Sequence, residues 1–136
     1  MIVADTSGLL ALYNTAEPAH AGVARAVAEE REPLVVSPYV VAELDDLVAT
    51  RVGPQAALAV LRELSGGAYL LPCLEGDDLV VVGDVVARYA DLRIGVADAS
   101  LVVLADRYAT SRLLTLDRRR FDAVRTLGGT PFSLLP

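Results

Sequence analysis

At 136 residues the chain has room for one domain of ordinary size and not for two, and its 54% hydrophobic content is too high for a disordered chain. A single cysteine, Cys73, and a single histidine, His20, exclude a disulfide framework, a thiolate zinc site and multi-histidine metal sites. The net charge of -6, with every basic residue an arginine, excludes a Walker A lysine and Schiff-base chemistry and argues against holding nucleic acid by bulk positive charge, though not against nucleic acid as a substrate.

Ile2 to Ala4 is a short apolar run, and Asp5-Thr6-Ser7 after it can cap a helix through Leu9, Leu10, Leu12 and Tyr13. Pro18 suits the first turn of a second helix, Ala19 to Glu30, with Val23, Ala26 and Val27 at helical spacing. Leu34-Val35-Val36 is a buried strand. Ser37-Pro38 then opens a helix through Tyr39, Val41, Leu44, Leu47 and Val48, and Gly53-Pro54 starts another over Gln55 to Leu64. Tyr69 to Leu71 reads as a third strand, stopped by Pro72. Valines in Leu79 to Val86 favour a strand, but the acids Asp77-Asp78 ahead of them and the continuation to Ala90 favour a helix, and a helix is expected. Ala97 to Tyr108 is a buried helix, Leu113 to Leu116 a strand, Arg118 to Leu127 a short helix and Phe132 to Leu135 the last strand. Short apolar strands alternating with helices define an α/β fold: one domain over 1–136, with about five parallel strands and helices on both faces.

No secretory leader is expected from Met1-Ile2-Val3-Ala4-Asp5, which lacks a basic start, and charge-free runs such as Pro33 to Ala42 fall short of the roughly 20 residues of a membrane span. A cytoplasmic location and no membrane partner are therefore expected.

Sites in open parallel sheets form outside the carboxyl ends of the strands. Asp5 directly follows the first strand and Asp117 the fourth, so their carboxylates converge if those strands are neighbours. Glu43 lies among Val40, Val41, Ala42 and Leu44, and Asp98 between Ala97 and Ala99 near the start of a buried helix. Carboxylates in apolar settings are normally paired, hydrogen-bonded or bound to a metal, and four together repel. An oxygen-only set points to a magnesium or manganese ion, which can activate a water and stabilise the leaving oxygen of a phosphodiester. Each residue also has a plainer use: Asp5 as a helix N-cap, Asp98 as a helix-dipole partner, Asp117 as a turn residue and Glu43 as surface. Thr6, Ser7 and Thr115 offer hydrogen bonds to the carboxylates or to a phosphate. Arg118-Arg119-Arg120, with Arg112 nearby, offer a grip on a phosphate backbone.

These residues, in this order, make the chain resemble the PIN-domain ribonucleases, and among them the VapC-type toxins of bacterial toxin-antitoxin modules. The likeness rests on "IVADTSGLLAL" with Asp5, "VVSPYVVAEL" with Glu43, "LRIGVADASLVVLA" with Asp98 and "LLTLDRRRF" with Asp117, and spans essentially the whole chain. It implies an endoribonuclease dependent on magnesium or manganese that acts on tRNA or rRNA and inhibits translation. It also implies a homodimer neutralised by a cognate antitoxin, which lays a C-terminal segment across the groove and meets DNA through its own domain. Apolar faces of the helices Tyr39 to Val48 and Gln55 to Leu64 are the natural surfaces for the dimer or the antitoxin. A HAD-like phosphatase also begins with an aspartate after its first strand, but it needs a second aspartate where Ser7 stands and a lysine that is absent. A non-catalytic module binding a cation or a basic peptide in its acidic groove is the other alternative.

Overall fold

Two- and three-residue strands suffice here because both faces of the sheet are covered. The computed structural model describes residues 1–136. Its strands are β1 (Val3–Ala4), β2 (Leu34–Val36), β3 (Tyr69–Leu70), β4 (Arg112–Leu114) and β5 (Ser133–Leu135). All pairings are parallel, in the order β3-β2-β1-β4-β5. The helices are α1 (Thr6–Tyr13), α2 (His20–Ala28), α3 (Pro38–Arg51), α4 (Pro54–Leu64), α5 (Gly76–Arg88), α6 (Val96–Arg107) and α7 (Arg118–Phe121), with a 3-10 turn at Ala90–Leu92. The α/β class and the five parallel strands expected from the sequence are those observed. No helix is long and apolar enough to cross a membrane.

The order reverses at β1. The chain moves from β1 through β2 to β3 at one edge, then crosses back to place β4 against the free side of β1. A crevice therefore opens at the carboxyl ends of β1 and β4. Register fixes what meets there: Ala4 pairs with Leu114 and with Val36, which sets Asp5 level with Thr115 and Ser37. Underneath lies a core of 29 buried apolar residues. Helix α6 runs through it, Ala99 to Ala105 being buried without interruption. A hydrogen bond of 2.7 Å between the buried hydroxyls of Ser37 and Ser100 ties the start of α3 to α6.

Gly8 sets how closely α1 approaches the sheet. A methyl group there would lie 2.7 Å from the Leu114 carbonyl oxygen and 2.8 Å from Leu114 Cγ, inside van der Waals contact with backbone that cannot move alone. Gly8→Ala is expected to destabilise the fold by about 1–3 kcal/mol through overpacking. Urea denaturation checks this, and a wild-type midpoint would show that α1 does not need the close approach.

Three sequence expectations change. Helix α2 begins at His20, leaving Pro18 outside it. The helix expected over Arg118 to Leu127 ends at Phe121, because the Arg125 N–H donates to the Tyr89 hydroxyl at 3.0 Å instead of to the preceding turn. Arg125 then forms an isolated antiparallel bridge with Pro131. Arg112 is not beside the acids: it starts β4 at the amino edge of the sheet, where its guanidinium pairs with Glu30. The N-terminal ammonium joins that cluster, 2.7 Å from Glu32 and 3.6 Å from Glu30.

Candidate active site

Asp5 ends β1 and caps α1, so its carboxylate sits where strand becomes helix and is only 7% exposed. Its Oδ1 accepts the Thr6 N–H at 2.8 Å, and its Oδ2 accepts the hydroxyls of Ser7 and Thr115, both at 2.7 Å. Those hydroxyls are themselves held from behind. Ser7 Oγ accepts the Leu116 N–H at 2.9 Å, and Thr115 Oγ1 accepts the Asp117 N–H at 3.0 Å. Each hydroxyl thus spends its one proton on Asp5 and receives one from the chain after β4. Thr6 differs, because its buried Oγ1 has no hydrogen-bond partner. Ser7 and Thr115 seat Asp5 through their side chains, Thr6 only through its backbone N–H.

Asp98 stands on the first turn of α6 and Asp117 caps α7. The Asp98 side chain is 13% exposed, and its Oδ2 accepts the Gly95 N–H at 3.4 Å and Arg120 Nη1 at 2.8 Å. Burial pushes its carboxyl above the ordinary carboxylate range; Arg120 opposes that, and the charge of Asp5 adds to it. Asp117 Oδ1 accepts the Arg120 N–H at 3.2 Å, and its Oδ2 lies 3.2 Å from Arg120 Nε. One guanidinium therefore bridges two carboxylates. Partial burial works against the charge of Arg120, but Asp98, Asp117 and Asp5 together hold its pKa above the usual arginine value.

The other sequence candidates fall differently. Glu43 is exposed rather than set among apolar neighbours, since the buried stripe of α3 is Val40, Leu44 and Val48 and the helical phase puts residue 43 on its flank. One turn further along that flank, Leu47 lines a groove of about 910 Å³ between α1, α3 and α4. Ser7 and Leu116 close the groove at its acid end, so it runs out from the crevice. The Arg118 guanidinium donates to the carbonyl of Pro136. Arg120, which sequence reasoning did not separate from its neighbours, makes the decisive contacts. The available signal was its three-residue spacing from Asp117 at a helix start.

No three acid side chains close on a common point in this arrangement. The donor set nevertheless fits a hard divalent ion by its chemistry: three carboxylates, no nitrogen or sulfur ligand, and a cationic side chain already standing between two of them.

The chain belongs to the PIN domain family, whose model matches residues 2–127. Along 135 residues, 99% of its length and 100% of the relative's, it is 54% identical to Ribonuclease VapC26 of Mycobacterium tuberculosis (strain ATCC 25618 / H37Rv). Likeness of that extent places it in the enzyme class of the ribonucleases and sets aside both the phosphatase and the non-catalytic module. Two solved structures share the fold. VapC20 of Mycobacterium tuberculosis, a sarcin-ricin loop cleaving toxin, superposes with a TM-score of 0.80 at 20% identity, over 88% of this chain and 92% of that one. VapBC2 of Rickettsia felis, bound to a DNA fragment from its promoter, gives 0.71 at 16% identity over 100% of both chains.

Proposed function

We propose that the chain is the toxin of a toxin-antitoxin pair, an endoribonuclease that needs Mg²⁺ or Mn²⁺, cuts tRNA or rRNA in the cytoplasm and so stops translation. The observation that carries this reading is the gathering of Asp5, Asp98 and Asp117 around one guanidinium at the carboxyl edge of β1 and β4 in a PIN-family chain. One domain, residues 1–136, holds the whole site.

Asp5, Asp98 and Asp117 would hold the ion, with Glu43 completing its shell or orienting a water. The ion supplies a nucleophilic water at neutral pH and charge stabilisation for the leaving oxygen. The residues of the chain supply position. Ser7 and Thr115 point both their protons at one oxygen of Asp5 and the Thr6 N–H holds the other, which fixes the orientation of that carboxylate. Arg118 and Arg119, exposed on α7 beside Asp117, take the RNA backbone; Arg112 is too far along β4 to join them.

The cognate antitoxin is read into the groove between α1, α3 and α4. Its floor of Leu10, Leu47, Val48 and Val60 suits an apolar segment, and Arg51 and Glu63 on its walls offer charges for register. A segment lying there meets the acids at Ser7. The relative made as a VapB-VapC assembly on promoter DNA supports a partner of this kind, with DNA reached through the antitoxin. A homodimer is the assembly expected of the free toxin.

Incubating the purified chain with tRNA and with rRNA, in Mg²⁺, in Mn²⁺ and in EDTA, tests the enzyme directly. Cleavage of at least one RNA with either ion and none in EDTA is expected. Equal cleavage in EDTA, or intact RNA throughout, overturns the reading.

A further inference from the structure

We propose that Arg120 is a built-in counter-ion, a positioning residue whose guanidinium stands in for the divalent ion between Asp98 and Asp117 and must be displaced when the ion enters. This rests on the metal-dependent reading of the same acids.

The geometry is that of a clasp. Nη1 lies 2.8 Å from Asp98 Oδ2 and Nε lies 3.2 Å from Asp117 Oδ2, so one planar group spans carboxylates carried on different helices, α6 and α7. The contact is costly to leave empty. Asp98 is largely buried, lies near a second negative charge in Asp5, and has no other cation within reach. Without Arg120, Asp98 and Asp117 would have no cation beside them, and the charge of Asp5 would add to the repulsion on Asp98.

The clasp is also built to open. Phe121, buried and packed edge-to-face on Phe132 with centroids 6.3 Å apart, fixes α7 from the next position in the chain. Arg120 can therefore swing without unravelling the turn, and its side chain, 36% exposed, has solvent to swing into. Charge favours the exchange. Three carboxylates against one guanidinium leave two formal negative charges, whereas a divalent ion in its place leaves one. The released guanidinium then stands at the rim with five donors free, where a phosphate of the substrate arrives.

Calorimetric titration of the full chain with MgCl₂, paired with thermal melts in EDTA, tests the exchange without any measurement of cleavage. Arg120→Gln is expected to lower the melting temperature in EDTA and to bind Mg²⁺ about tenfold more tightly than wild type, because no cation has to leave. A role confined to the fold would lower the melting temperature and leave the affinity alone. Arg120→Lys keeps the charge without the planar fork and is expected to fall between the two, which covers the case that the glutamine variant does not fold. Variants that bind Mg²⁺ no more tightly than a wild type that does bind it overturn the exchange and leave the ribonuclease reading standing. Failure of wild type and variants alike to bind the ion overturns both.

Discussion

Asp5→Asn is expected to cut the rate of RNA cleavage by about 10²–10³-fold, the range typical of removing one key electrostatic group from a hydrolytic site, while leaving the fold intact. The side chain is unusual in what surrounds it. Three donors converge on it, from Thr6 N–H, Ser7 and Thr115, yet no cation touches it directly. Asparagine keeps an oxygen for the Thr6 N–H, so the cap of α1 survives. Its amide nitrogen then faces two hydroxyls, each able to accept through a remaining lone pair. Loss of the charge also relieves Asp98, whose carboxyl Asp5 helps to push upward. The protons of Ser7 and Thr115 lose their charged acceptor, however, and that outweighs the relief of Asp98, so the metal-free variant should melt below wild type while still folding. What disappears is the negative charge of Asp5 and, on the proposed metal-dependent reading, its share in holding a divalent ion. Initial rates on a fluorogenic RNA at saturating Mg²⁺, beside melts in EDTA, separate the two effects. Cleavage within tenfold of wild type would show that Asp5 only caps a helix.

The acids at strand ends were legible because the strands are. Two or three consecutive apolar residues followed by Asp, Ser or Thr can stop in only one place, and a parallel sheet puts that place at one edge; hence Asp5, Thr115 and Asp117 could be located from the chain alone. Phase on a helix was harder to read. Glu43 sits in an apolar stretch of sequence, but α3 buries every fourth residue of that stretch and not the ones between, so an apolar neighbourhood along the chain became an exposed position in space. The arginines show the same limit. Arg112 lies five residues from Asp117, close in sequence, yet three extended residues carry it to the opposite edge of the sheet. Among Arg118, Arg119 and Arg120 only the turn of α7 decides which one meets Asp98, and the end of that turn is set by the hydroxyl of Tyr89, from a distant part of the chain. Local pattern gave the scaffold; contacts between remote side chains chose the partner.

Thr115→Val and Thr6→Val make the same chemical change on either side of Asp5 and are expected to move stability in opposite directions. Thr115 is fully buried, donates to Asp5 Oδ2 at 2.7 Å and accepts the Asp117 N–H at 3.0 Å. Valine fills its volume but removes a hydrogen bond to a charged group and strands a backbone donor, for a loss of about 2–4 kcal/mol. Cleavage should fall with it, since Asp5 loses one of the two hydroxyls that aim it and Asp117 loses the anchor of its own backbone. The hydroxyl of Thr6 is equally buried, at 3% residue exposure, and satisfies nothing. Replacing it with a methyl group removes an unmet polar atom at no cost in packing, so Thr6→Val should be neutral or stabilising by about 1 kcal/mol. Urea midpoints of the two variants give the comparison. A matching loss in both would mean that the Thr6 hydroxyl has a partner in solution and that its side chain, too, supports the start of α1.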